Sequence, residues 1–121
     1  MHELSVCRGL LRQVQAIARQ RGAQRIKTIR LAIGPLANID QALLQRAYQT
    51  ASRATLAEGA ALEIDTVPVR VRCQHCDAVS RASVQDLRCR HCGAWETIVE
   101  SGHEMQIVHL ELSVTGEAHH V

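Results

Sequence analysis

The stretch that decides how this chain is read is Cys73-Gln74-His75-Cys76, then residues 77–88, then Cys89-Arg90-His91-Cys92. Two Cys-x-x-Cys pairs so close together predict one tetrahedral site with four thiolate ligands. Each pair fits a tight turn, so both of its sulfurs can face one ion. Zinc is the default occupant of such a site and iron the competitor, because four-sulfur tetrahedral sites hold either metal. The alternatives without metal are two disulfides or free thiols. Between the pairs there are few aliphatic residues, and the one tryptophan of the chain, Trp95, lies just after them. Such a stretch cannot make a core of its own, so metal binding would supply its folding energy.

The rest of the chain sets the context. It has 121 residues, enough for one domain or for one domain and a small module. Hydrophobic residues make up 46%, but there is no Phe, one Trp and one Tyr, so the core must be aliphatic and rich in Ala. A net charge of +2, with acids and bases well mixed, gives no strong field toward nucleic acid or an anionic membrane. No apolar run approaches the roughly 20 residues of a membrane span. Met1-His2-Glu3-Leu4-Ser5 does not open a secretory signal. A cytoplasmic, reducing location is therefore expected, which favours metal over disulfide.

Outward from the cysteines, the elements follow from periodicity. Leu4, Cys7, Leu10, Leu11, Val14, Ile17 and Ala18 predict an amphipathic helix over 4–21, stopped at Gly22. Cys7 lies on its apolar stripe and reads as a core thiol. Residues 25–34 alternate as a strand and end at Gly34-Pro35. A second helix is predicted over 41–56, with Leu43, Leu44, Ala47, Tyr48, Ala51 and Ala54 on its buried face. Leu62 and Ile64 begin an alternation that resumes one residue out of phase at Val67, Val69 and Val71, which predicts a bulge near Pro68. Thr97–Val99 reads as an exit strand from the cysteine module. Residues 104–114 read as a last strand, packed on the helices through Val108, Leu110, Leu112 and Val114.

The predicted fold is α+β: a small sheet of about three strands packed on two helices, with an inserted zinc-ribbon module. Residues 1–72 and 103–114 would form the base domain and 73–102 the module, with a flexible tail at 115–121 carrying His119 and His120.

The N-terminus offers a second metal site of a different kind. With Met1 retained, the terminal amine, the His2 amide and the His2 imidazole stand in a row and can close fused chelate rings. Deprotonated amides suit a flat four-coordinate ion, nickel(II) or copper(II) rather than zinc. Glu3 adds a further amide and a carboxylate. The bland reading is a frayed, solvated terminus. Asp40 has a capping role open to it at the start of the second helix, and a metal role is the other reading.

Met1-His2-Glu3-Leu4-Ser5, Ile33-Gly34, Leu56-Ala57-Glu58-Gly59-Ala60, the paired Cys-x-x-Cys motifs and Gly102-His103-Glu104-Met105 together resemble the HypA family of nickel metallochaperones. The resemblance covers residues 1 to about 114. It implies nickel as transient cargo at His2 and nearby backbone nitrogens, with Glu3 and Asp40 close by. It implies structural zinc on Cys73, Cys76, Cys89 and Cys92. It further implies a protein that is not an enzyme, working with a HypB-type nickel GTPase on the precursor of a nickel–iron hydrogenase large subunit; some relatives serve urease. His75 and His91 read as surface side chains next to zinc, or else as hydrogen-bond donors to its ligands or pH-sensitive substitutes for them, and His103 as a candidate near the nickel end. His109 and the His119-His120 pair are not features of the family pattern. Two other readings compete. Arg70, Arg72, Arg81, Arg88 and Arg90 would suit a nucleic-acid module, and iron on four thiolates would suit an electron carrier.

Overall fold

The apolar stripe near the N-terminus forms α1, His2–Gln20, and turns Cys7, Leu10, Leu11, Val14 and Ala18 inward. These spacings of three and four residues place all five on one helical face. In the computed structural model, which describes residues 2–114, α1 leads into β1, Ala23–Ile33. The short 3-10 turn Pro35–Ala37 follows, then α2, Gln41–Ala51. The strands after it are β2, Ala61–Thr66; β3, Arg70–Cys73; β4, Val79–Arg81; β5, Thr97–Ser101; and β6, Met105–Val114. They make two three-stranded sheets, in the orders β2-β1-β6 and β4-β3-β5.

The α+β class with two helices, a three-stranded sheet and a four-cysteine module agrees with the sequence reading. The sheet β4-β3-β5 is additional to the one expected, and four further details differ. α2 ends at Ala51 rather than 56, because Ser52 caps it and Ala54 takes a left-handed conformation at φ 62°. Residues 52–60 form a series of turns instead, tied to the helix by the Tyr48 hydroxyl, which donates to the carbonyls of Ala60 (3.0 Å) and Ala57 (3.3 Å). Leu43, expected inside, is exposed, since the buried face of α2 narrows to Leu44 and Tyr48 one turn apart. The phase slip at 64–67 is no bulge. The chain leaves one sheet after Thr66 and enters the other at Arg70. Finally, β6 keeps its alternation but contributes no fully buried side chain, and Val108 is 50% exposed.

The chain divides into two compact units. One comprises the residues up to Leu31, Ile39–Ile64 and those from Ile107 on; the other comprises Ala32–Asn38 and Asp65–Gln106. The first has a large aliphatic core, in which Ile26, Ile29 and Leu31 of β1 and Leu62 of β2 join the inner faces of the helices. The second buries far less: Ile33, Val69, Val71 and two of the cysteines. It takes in more chain than the cysteine stretch alone, because residues 33–36 are bonded to 67 and to 102–104. Val67 donates to the Ile33 carbonyl (3.0 Å), Gly34 to that of Glu104 (2.9 Å) and Leu36 to that of Gly102 (2.7 Å). The approach at Gly34 is so close that a Cβ there would overlap the Gly102 carbonyl. Only glycine fits.

Candidate metal centre

Each Cys-x-x-Cys pair is a small knuckle whose backbone aims its sulfurs. In the first, the amides of His75 (3.3 Å) and Cys76 (3.4 Å) point at Cys73 Sγ. Asp77 then donates to the Cys73 carbonyl (3.0 Å) and Cys73 to that of Ala78 (2.9 Å). The second knuckle repeats the pattern. The amides of His91 (3.3 Å) and Cys92 (3.5 Å) point at Cys89 Sγ, Gly93 donates to the Cys89 carbonyl (2.9 Å), and Cys89 to that of Ala94 (3.0 Å). Both turns need a left-handed residue just after the second cysteine. Gly93 supplies it at φ 78°, and Asp77 at φ 63°, where a short polar side chain is tolerated.

The two knuckles bring all four sulfurs together. Their Sγ atoms lie within 4.8 Å of one another, with Cys73 to Cys92 at 3.5 Å and Cys76 to Cys89 at 3.6 Å. Four sulfurs about 2.3 Å from one central ion stand roughly 3.8 Å apart. The cluster therefore fits a tetrahedral metal. It does not fit disulfides, whose sulfurs are bonded at about 2.05 Å; all five cysteines are free thiols. Cys73 and Cys89 are buried, Cys76 and Cys92 exposed. The amide donors prepare the buried pair to be thiolates. Cys76 N–H, with His75 N–H, holds the Cys73 thiol below its ordinary value. Cys92 N–H, with His91 N–H, brings Cys89 down to about 6. Four thiolates crowded together repel one another, and a divalent cation relieves that repulsion.

The histidines inside the knuckles contribute through their backbone. The His75 ring turns outward to Glu96, 2.9 Å from its carboxylate, while its amide serves Cys73. The arginines nearby are partly committed. Arg72 is paired with Glu100 (2.7 Å) and Arg88 makes two 2.9 Å bonds to Asp86, with its guanidinium 5.0 Å from the Trp95 ring centre. That leaves a weaker phosphate-binding face than the arginine count implies.

The second candidate site lies at the start of α1. The Glu3 carboxylate accepts the Asp40 backbone N–H at 3.0 Å, and the Asp40 side chain accepts the Leu43 N–H at 3.1 Å as the N-cap of α2. The Asp40 amide, then Glu3's own amide, hold the Glu3 carboxyl below the usual carboxylate range, with the His2 charge adding to them. Asp40 thus performs the capping role expected of it, and its backbone is latched to Glu3. His2 is exposed at the first described position of the helix. Among the described residues the four cysteines are the one group of three or more side chains with converging ligand atoms. His2, Glu3 and Asp40 do not form another; Met1 and its amine, and the His119-His120 pair, lie outside the described residues. The Glu3–Asp40 bond was not foreseen, because a bond between positions 37 residues apart leaves no local sequence pattern.

No helix among the described residues is long and apolar enough to cross a membrane. The family model described as "Hydrogenase/urease nickel incorporation, metallochaperone, hypA" matches residues 1–112. The chain is 40% identical over 115 residues to a hydrogenase maturation factor HypA of Nitrosospira multiformis, covering 95% of this chain and all of that one. It is 34% identical to that of Rhodobacter capsulatus, covering 93% and 99%. The fold is similar to the solution structure of the Ni metallochaperone HypA from Helicobacter pylori, with a TM-score of 0.68 at 26% identity over 93% and 97% of the two chains. A second solution structure of a HypA protein matches with a TM-score of 0.71 at 28% identity, over 93% and 96%. With its four-sulfur cluster and near end-to-end matches, the chain belongs to the HypA family, whose members are nickel metallochaperones of hydrogenase maturation rather than enzymes.

Proposed function

We propose that the chain carries Ni(II) as cargo at its N-terminus, through the His2 imidazole and the backbone nitrogens beside it, with Glu3 and Asp40 adjacent to the ion. It hands the ion, together with a HypB-type GTPase, to the precursor of a nickel–iron hydrogenase large subunit in the cytoplasm. Zn(II) on Cys73, Cys76, Cys89 and Cys92 is structural and stays bound. Residues 1–72 with 103–114 serve as the cargo-bearing base and 73–102 as the zinc-held module.

The observation that carries this reading is the Glu3–Asp40 bond, which joins the first turn of α1, where Glu3 follows His2 in the chain, to the N-cap of α2. Amides in the first turn of a helix have no intrahelical acceptor, so their deprotonation breaks no helical bond. The positive end of the helix also favours a negative nitrogen there. Amide nitrogens and an imidazole make a flat field that suits Ni(II) and not zinc, whereas the sulfur cluster suits zinc. The two sites therefore sort their metals by geometry. Metal ligands must shed protons, so nickel affinity falls as pH falls.

Calorimetric titration of nickel into zinc-loaded, tag-free protein tests the proposal. One site is expected, lost in His2→Ala with the zinc content unchanged, and retained in a chain ending at Val114. If His2→Ala binds nickel as well as the parent does, the N-terminal site is wrong.

A further inference from the structure

The sheet β4-β3-β5 turns one face outward, and the side chains there fall into two rows. In the first, the register sets Arg72 of β3 between Val79 of β4 and Ile98 of β5. Val79 is 40% exposed and Ile98 54%, so this row presents two uncovered aliphatic side chains. The Arg72 charge between them is already neutralised, with Glu100 2.7 Å and Asp77 3.4 Å from its guanidinium. In the second row, two residues back along β3, Arg70 stands directly opposite Arg81 of β4. Both are exposed, and among the described residues neither guanidinium has an ion pair or a hydrogen bond. Like charges in directly opposed positions destabilise a sheet. The third strand does not relieve them. In an unbroken ladder Glu100 would face Arg70, because Ile98 faces Arg72 and Val99 faces Val71. The ladder slips between Arg70 and Val71 instead, which sets Ser101 opposite Arg70 and leaves Glu100 to Arg72. Such slips re-aim side chains and gather beside functional sites.

We propose that this face docks an acidic segment of a partner protein, with a carboxylate set between Arg70 and Arg81 and an apolar side chain laid on the row of Val79 and Ile98. Charge complementarity carries the assignment. Two opposed guanidinium groups offer a carboxylate several charge-assisted hydrogen bonds, and its charge removes their mutual repulsion. The two rows lie two residues apart on one strand, about 6.7 Å. An extended segment returns to the same face at the same interval, so the pattern this surface reads is apolar, any residue, acidic. The aliphatic row also decides the class of partner. Nucleic acid would offer phosphates to the same two arginines, but its bases stack on aromatic or free guanidinium planes. This face has aliphatic chains and an arginine tied to carboxylates, and Trp95 lies outside the three strands. Docking here uses no residue of the proposed nickel site.

The test is a titration of the zinc-loaded full chain with the end-blocked peptide Leu-Ser-Glu-Ser-Leu-Ser-Glu, followed through its amide NMR signals. Those of residues 70–72, 79–81 and 98–100 are expected to move together, and the same peptide with Lys in place of Glu to move none of them. Arg81→Glu turns the like pair into a salt pair. It is expected to melt at a higher temperature than the parent and to raise the dissociation constant of the peptide about tenfold. Arg46→Glu, an equal change of charge at an exposed position of α2, is expected to bind the peptide as the parent does. Several outcomes overturn the proposal. One is no movement at millimolar peptide, or movement confined to other residues. Another is an equal loss of binding in Arg46→Glu, which would reduce the effect to net charge. A melt of Arg81→Glu that is unchanged or lowered would show that the two arginines do not burden each other. A single-stranded oligonucleotide bound more tightly through the same residues would assign the face to nucleic acid, and signals there that move on diluting the protein alone would assign it to a second copy.

Discussion

The cysteine cluster and the start of α1 hold their candidate ligands in opposite ways. At the cluster the backbone does the positioning: two amides point at each of the buried sulfurs, and each knuckle is closed by a left-handed residue. At the start of α1 a single carboxylate–amide bond, Glu3 to Asp40, ties the first helical turn to the rest of its unit. Ligands fixed by many backbone bonds are costly to move, whereas ligands in a first turn move with little loss, because helix ends fray. Under the proposed function, that difference is what would separate a metal that is kept from a metal that is passed on.

The contrast is sharpest where a metal would replace a core. The unit with the cysteines buries only Ile33, Val69 and Val71 besides Cys73 and Cys89, while the other unit has the inner faces of two helices and a strand. Structural zinc contributes about 10–16 kcal/mol in small zinc-dependent folds. Cys89→Ser is therefore expected to abolish zinc binding and to erase the dispersed NMR signals of residues 65–106, while the helical circular dichroism of α1 and α2 survives. Loss of both units together would mean that the cluster supports the whole chain and that the contrast is false.

A smaller effect is expected at Gly34. A methyl group there meets the Gly102 carbonyl, in a segment where the amides of Gly34 and Leu36 donate to the carbonyls of Glu104 and Gly102. Backbone cannot shift as a flexible side chain can, so Gly34→Ala is expected to destabilise this unit by about 3 kcal/mol. The check is a thermal melt of the zinc-loaded protein followed through Trp95 fluorescence. An unchanged melt would show that the cysteines alone hold the unit.

How much of this was legible in the sequence depended on whether the signal was local. The knuckles were, because Cys-x-x-Cys is its own turn. α1 was too, since seven apolar positions on one stripe outvote any single residue. The second sheet was missed for the opposite reason: β4 is three residues long, and its pairing with β3 is set by the knuckle between them. The slip between Ile64 and Val67 was visible but read as a bulge, because periodicity marks a break in phase and not a change of sheet. Leu43 was misplaced because a helix of 11 residues with Ala at two of its facing positions shows a broader stripe than it buries. At the N-terminus the sequence pointed to His2 and Glu3 through the donors they line up beside the terminal amine and to Asp40 first as a cap, and the resemblance strengthened all three as one site; the bond that links Glu3 to Asp40 had no local signature at all.

That bond gives the smallest and most specific effect. The Glu3 carboxyl is held below its ordinary value, first by the Asp40 N–H. A carboxylate with a depressed folded value contributes its stabilisation above the unfolded value, and loses it as pH falls through the folded one. The Asp40 amide resonance is therefore expected to stay constant from neutral pH down to about 4.5. It should then move as Glu3 protonates below that. In Glu3→Gln the neutral amide oxygen can still accept, so the resonance shifts at every pH but no longer titrates there. The cysteine cluster also responds to acid, since its thiolates take up protons, but that response is common to both proteins and cancels in the comparison. If the Asp40 amide titrates alike in parent and variant, the latch is not what holds the start of α1. The ease of release attributed to a single bond would then need another cause.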